Sequence, residues 1–179
     1  MLRMAEILLV RHCQSDAYKR NFAAFGNEES PLTEKGRTVQ ADELRAKLID
    51  RGIDPAVYPR RVMASTLRRT KETATCVGFS EDAIDVRPEI NESNVEGEIL
   101  SGINVIQKHT QEGWVPEETK KRAERFIGLI RSGSFDYEIY FTHGLFIASV
   151  LTVLDSPDHY FDEKRGYIPL QASITPVSI

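Results

Sequence analysis

The chain has 179 residues, with 23 Lys and Arg against 27 Asp and Glu and a formal net charge of −4. That length suits one hydrophobic core of ordinary size, and the acidic balance lacks the basic footprint of a nucleic-acid binder. It leaves room for an anionic substrate, because a local arginine cluster outweighs net charge at short range. Cys13 and Cys76 are too few for a disulfide scaffold, and no CxxC spacing suggests a zinc site.

The first apolar run, Ile7–Val10, is too short for a signal peptide or a membrane span. A soluble, cytoplasmic chain without a membrane partner is therefore expected. Glu6–Val10 reads as a buried strand, being apolar without polar alternation. Residues 13–32 are polar, contain Gly26, Asn27 and Pro31, and read as a long functional loop. Thr33 is placed to cap the next helix. Ala41, Leu44 and Leu48 form one face of that helix, and Gly52 marks its stop.

Arg61–Ala64 reads as a second strand, after which Ser65 is expected to cap a helix with Leu67, Thr70, Ala74 and Val77 on its apolar face. Ile84–Arg87, closed by Pro88, is a third strand. Residues 88–116 look irregular, with Pro88, Gly97, Gly102, Gly113 and Pro116. From Glu117, the positions Ala123, Phe126, Ile127 and Ile130 give an amphipathic helix ending near Gly133. Glu138–Thr142 is a strand of β-branched and aromatic residues. Leu145–Leu154 is apolar nearly all round, as a buried helix is, and Pro157 should end it. Ile174–Val177 offers a last strand.

Alternating strands and helices imply an α/β fold around a largely parallel sheet. In such sheets ligands bind beyond the carboxyl ends of the strands. The rule selects Arg11-His12, Ser65 and His143-Gly144, with Arg69 one turn into the helix after Ser65. Arginine presents a planar fork of donors that matches phosphate oxygens. A neutral imidazole is a competent nucleophile near pH 7, its unperturbed pKa being about 6.5. A second imidazole can donate to oxygens on which charge accumulates. The helix after Gly144 adds backbone N–H groups and the positive end of a dipole. Such a site works without a metal or other cofactor. The leaving alcohol still needs a proton from a carboxylic acid, and Glu89, Glu92, Glu96 and Glu98 all lie in the irregular stretch, with nothing in their spacing to choose among them.

Read together, these segments resemble the histidine phosphatase superfamily, the group that contains phosphoglycerate mutase. Val10-Arg11-His12-Cys13-Gln14-Ser15 resembles the family's Arg-His-Gly-x-Ser/Thr signature. Pro31-Leu32-Thr33-x-x-Gly36 with Gln40-Ala41 and Leu44 resembles its first-helix pattern. Ser65-x-Leu67-x-Arg69 with Thr73-Ala74 resembles its second. Arg87-Pro88-Glu89-Ile90-Asn91-Glu92 resembles the proton-donor segment, and Thr142-His143-Gly144 the second-histidine motif. Five such motifs in order are far more specific than any one of them.

The resemblance implies a three-layer α/β/α sandwich and a single domain over residues 1–179, with 88–116 as a lid. It implies that His12 carries the phosphoryl group, that Arg11, Arg69, His143 and the Gly144 N–H hold its oxygens, and that Glu92 is the general acid. The activity implied is hydrolysis of a small phosphate ester. A mutase should carry a fuller, more basic lid, and between Glu92 and Trp114 only Lys108 and His109 are basic.

Two residues depart from the family pattern. Cys13 stands where the family has Gly, placing a thiol beside the expected phosphate pocket, where it could crowd the site or sensitise it to oxidation. Tyr18 stands where the family has Asn, with Asn21 nearby. The Cys13 substitution is also the ground for a degenerate, non-catalytic alternative. A cysteine phosphatase loop, Cys-x5-Arg, is a poor fit, since Lys19 occupies the arginine place and Arg20 comes one residue late. A dinucleotide site lacks its GxGxxG turn.

Overall fold

The computed structural model describes residues 6–16, 30–92, 115–154 and 169–179. In chain order the elements are β1 (Glu6–Arg11), α1 (Ala41–Ile49), β2 (Val62–Ser65), α2 (Arg68–Cys76), β3 (Ile84–Arg87), α3 (Glu117–Arg131), β4 (Ile139–Thr142), α4 (Gly144–Val153) and β5 (Ile174–Ser178). The strands form one sheet in the order β3-β2-β4-β1-β5. The first four run parallel, and β5 closes one edge antiparallel to β1. Helices flank both faces, so the fold is the α/β/α sandwich that the resemblance implies, around the largely parallel sheet expected from the alternation of elements.

Each central strand is buried on both sides, and the pleat divides its side chains between two layers. Leu8, Val10, Val62, Ala64, Ile139 and Phe141 face α1 and α2, where they meet Leu44, Leu48, Ala74 and Val77. Ile7, Leu9, Met63 and Tyr140 face α3 and α4, where they meet Phe126, Ile127, Phe146 and Val150. This two-sided burial explains why the strands read as continuous apolar runs.

Element ends follow local chemistry. Thr33 Oγ1 accepts the Gly36 N–H at 3.1 Å, capping a helical run that passes through a π-helical turn, Gly36–Gln40, into α1. Gly52 adopts φ +78° and turns the chain so that the Ile53 N–H returns to the Leu48 carbonyl. Ser65 does not cap α2 as expected. Strand β2 runs one residue further and pairs Ser65 with Arg87, so the helix starts later, at Arg68, and the residue before it makes no side-chain cap.

Of the long loop, residues 17–29 lie outside the described residues. Its two ends are tied by the Ser15–Leu32 bridge, by the Asp16 N–H to the Pro31 carbonyl and by the Thr33 N–H to the Gln14 carbonyl. Tyr18 and Asn21 fall within the undescribed part. So do residues 93–114 of the expected lid, with Glu96 and Glu98, and the Pro157 helix stop. No helix among the described residues is long and apolar enough to cross a membrane.

Candidate active site

The parallel ladder registers Arg11 opposite Thr142, so the residues that follow, His12 and His143, emerge side by side at one end of the sheet. Their ring centroids lie 5.3 Å apart at an interplanar angle of 61°. The His12 N–H continues the ladder to the Thr142 carbonyl at 3.1 Å. Arg69 reaches the same point from α2, and its Nε–H donates to His12 Nε2 at 3.2 Å. Arg11, His12, Arg69, Glu92 and His143 are all buried, as is Gly144, the first residue of the ten-residue α4. The structure thus places Arg11, His12, Arg69, His143 and Gly144 at one end of the sheet, with Glu92 acting on Arg69, while Glu96 and Glu98 lie outside the described residues.

His12 Nδ1 lies 2.6 Å from the Cys13 carbonyl. A carbonyl only accepts, so Nδ1 carries the proton. Nε2 then presents its lone pair, as the bond from Arg69 independently requires. Burial, then the charges of Arg69 and Arg11, hold His12 well below the ordinary imidazole pKa, against a smaller upward pull from the Cys13 carbonyl. Burial, Arg69, His12, Arg11 and Arg122 do the same to His143. Burial lowers Arg69 to about 10, opposed by the Glu92 carboxylate, so its guanidinium stays charged at neutral pH. Arg11 is fixed by a bond from Nη1 to the Pro169 carbonyl. Among the described residues, the buried guanidiniums of Arg11 and Arg69 meet two neutral imidazoles and Glu92 here, a set of donors that suits the oxygens of a phosphate.

Three side chains given no role in the sequence analysis fix the Glu92 segment. Asn91 Oδ1 accepts the Thr66 N–H at 2.9 Å and its Nδ2 donates to Thr66 Oγ1 at 2.7 Å. Arg122 Nη1 donates to the carbonyls of Asn91 and Glu92 at 2.9 and 3.2 Å. Thr142 Oγ1 donates to the Ile90 carbonyl at 2.7 Å. Asn91 and Thr142 stand within motifs read from the sequence, though without an assigned role. Nothing in the sequence around Arg122 connects it to Glu92.

Cys13 corrects an expectation. Its side chain is fully buried in the apolar cluster beneath α1 and α2, the one that holds Val10, Leu44 and Ala74. Burial raises the thiol pKa to about 12, so it is held as a neutral thiol. Its N–H donates to Thr73 Oγ1 at 3.0 Å, which fixes the peptide whose carbonyl orients His12.

The model of the histidine phosphatase superfamily (branch 1) matches residues 7–175, and the chain belongs to this superfamily. No curated protein matches the chain significantly. Among solved structures, mycobacterial hydrolase 1 is similar with a TM-score of 0.64 at 18% identity, over 98% of this chain and 91% of that one. A putative alpha-ribazole-5'-P phosphatase from Escherichia coli gives 0.64 at 20% identity, over 99% and 91%. A mycobacterial glucosyl-3-phosphoglycerate phosphatase in complex with VO3 gives 0.57 at 21% identity, over 86% and 82%. At these identities the likeness speaks for a shared fold.

Proposed function

We propose that the protein is a phosphomonoesterase that hydrolyses a small phosphate ester through a phosphohistidine on His12. The observation that carries this reading is the tautomer of His12. Its proton is committed to the Cys13 carbonyl, and its Nε2 lone pair accepts from Arg69, with the His143 ring centroid 5.3 Å away. Phosphatase names among the structures of the same fold are consistent with it.

In the first step His12 Nε2 attacks phosphorus in line as the bond to the leaving oxygen breaks, and Glu92, a carboxylate in the free site that takes up a proton as the substrate's phosphate enters beside it, gives that oxygen its proton. Arg69, Arg11, a His143 N–H and the first N–H groups of α4 take the phosphoryl oxygens. In the second step water attacks the phosphohistidine, Glu92 receives the proton, and His12 leaves with its lone pair restored. These groups supply nucleophile, acid and charge stabilisation from side chains and main chain, and the scheme calls on no metal or other cofactor. Residues 88–116 would cover the crevice of a single domain that spans the chain.

Mutase-type transfer would need a lid that retains a phosphorylated intermediate, and the sparse basic content between Glu92 and Trp114 favours hydrolysis. The packing of Cys13 in the apolar core favours a catalytic site over a degenerate, non-catalytic domain. Substrates are sought among phosphate monoesters, with nucleic acids and membranes outside the expected range of partners.

An assay of phosphate release across a panel of phosphate monoesters tests the reading. Wild-type protein should turn over at least one ester in the presence of EDTA. His12→Ala should abolish this, and Glu92→Gln should lower kcat by about 100- to 10,000-fold, most for esters with poor leaving groups. Undiminished turnover by His12→Ala would refute the assignment.

A further inference from the structure

Ser65 Oγ lies 2.7 Å from His143 Nε2 and 3.0 Å from Thr70 Oγ1, and it accepts the Leu67 N–H at 3.2 Å. Ser65, Thr70 and His143 are fully buried. Their few protons can therefore be counted, since each hydroxyl has one to donate. The Thr70 proton has carbonyl acceptors at Leu67, 2.7 Å away, and at Ser65, 3.0 Å away. The Ser65 proton has two destinations, Thr70 Oγ1 or His143 Nε2, and the contact with His143 is the shorter.

Across the imidazole ring, His143 Nδ1 is buried and has no hydrogen-bond partner among the described residues. With Nε2 committed to Ser65, Nδ1 is the nitrogen left for a substrate. A phosphoryl oxygen only accepts, so a bare lone pair on Nδ1 would oppose it, whereas an N–H would hold it. We propose that Ser65 is a positioning residue that donates to His143 Nε2 and so keeps the His143 proton on Nδ1, facing a phosphoryl oxygen. This rests on the phosphatase reading above and goes beyond it, because it assigns how a neutral second imidazole becomes a donor.

The surroundings make the tautomer matter. Arg69 from α2, His12 and Arg11 from β1, and Arg122 from α3 all bear on His143, while Glu92 supplies a counter-charge at Arg69. An imidazole buried among these cations stays neutral at pH 7 and has a single proton to place. Ser65 Oγ is the hydrogen-bond partner of Nε2 among the described residues, so the hydroxyl at 65 is what selects between the two positions.

The test reads the tautomer directly. In 1H–15N spectra of the imidazole nitrogens, with His12→Gln and His143→Gln used for assignment, wild-type protein in inorganic phosphate should show His143 protonated at Nδ1 and bare at Nε2. In Ser65→Ala the His143 signals should shift toward a mixture of tautomers. In the same variant kcat should fall about 10- to 100-fold with KM little changed, less than the loss typical of deleting an oxyanion donor outright. Ser65→Thr, which keeps the hydroxyl, should recover most of the rate. A wild-type His143 protonated at Nε2 would overturn the proposal, as would Ser65→Ala with both tautomer and kcat unchanged. A wild-type protein that hydrolyses no ester would overturn the phosphatase reading instead, and the spectrum would still score the tautomer. Should Ser65→Ala not fold, the wild-type spectrum decides alone.

Discussion

At the residue scale the central fact is which nitrogen of His12 carries the proton. The Cys13 carbonyl takes the Nδ1 proton and Arg69 donates to Nε2, so both bonds demand the same tautomer. The sequence could propose His12 from its place after a strand, but it could not name that partner. A main-chain carbonyl one residue along becomes an acceptor only through the path of the backbone, which here is held by the Cys13 N–H on Thr73. The depressed pKa of His12 has a direct consequence. The nucleophile is competent only when neutral, and lowering its pKa extends the neutral form to more acid pH. The acid limb of kcat/KM should therefore fall below pH ~6.5, the value for an unperturbed histidine. A limb above that value would contradict the electrostatics described for His12.

Cys13 carries a second prediction at this scale. Cys76 is exposed and Cys13 is buried with its thiol pKa raised to about 12. A thiolate reagent applied to native protein should modify Cys76, leave Cys13 unmodified until the chain unfolds, and leave any phosphatase activity intact. Mass spectrometry of the labelled peptides checks this, and early labelling of Cys13 would count against its burial.

At the scale of elements, apolar patterning made β1, α1, α3, β4 and α4 legible, because two-sided burial and helical stripes leave a periodic mark in the sequence. The misplaced start of α2 shows where such marks stop. Serine after an apolar strand suits a cap, but β2 extends through Ser65 and the hydroxyl turns to His143 and the Leu67 N–H. Gly36 shows a constraint visible only in three dimensions. A Cβ built there would lie 2.2 Å from the Gln14 carbonyl oxygen, so the helical run and the segment after β1 pass in contact. Gly36→Ala should destabilise the fold by about 1–3 kcal/mol or more through this overlap. Thr73→Val, which leaves the buried Cys13 N–H without its acceptor, should cost about 1–3 kcal/mol. Urea denaturation of each variant measures both, and a change under ~0.5 kcal/mol at either position would contradict the packing described.

At the scale of the molecule, one sheet is shared by two apolar layers, and the site sits where β1 and β4 lead their histidines out between them. Placing charged groups at this buried end makes stability depend on pH. His12 and His143 have folded pKa values below that of an unfolded imidazole, so below pH ~6.5 the unfolded chain takes up protons that the folded chain refuses. Their contribution to stability is present above that pH and is lost as pH falls through the folded values. The melting temperature should decline between pH 7 and 5, and His12→Gln combined with His143→Gln should flatten the decline. A slope unchanged in the double variant would show that these imidazoles do not set it.

The measurement that bears most directly on the central claim is capture of the intermediate. Protein quenched in alkali during turnover of a phosphate ester should carry an acid-labile, alkali-stable phosphoryl group, which peptide mass spectrometry should place on His12. Label on Cys13, or steady turnover with no phosphoryl group on His12, would contradict the account.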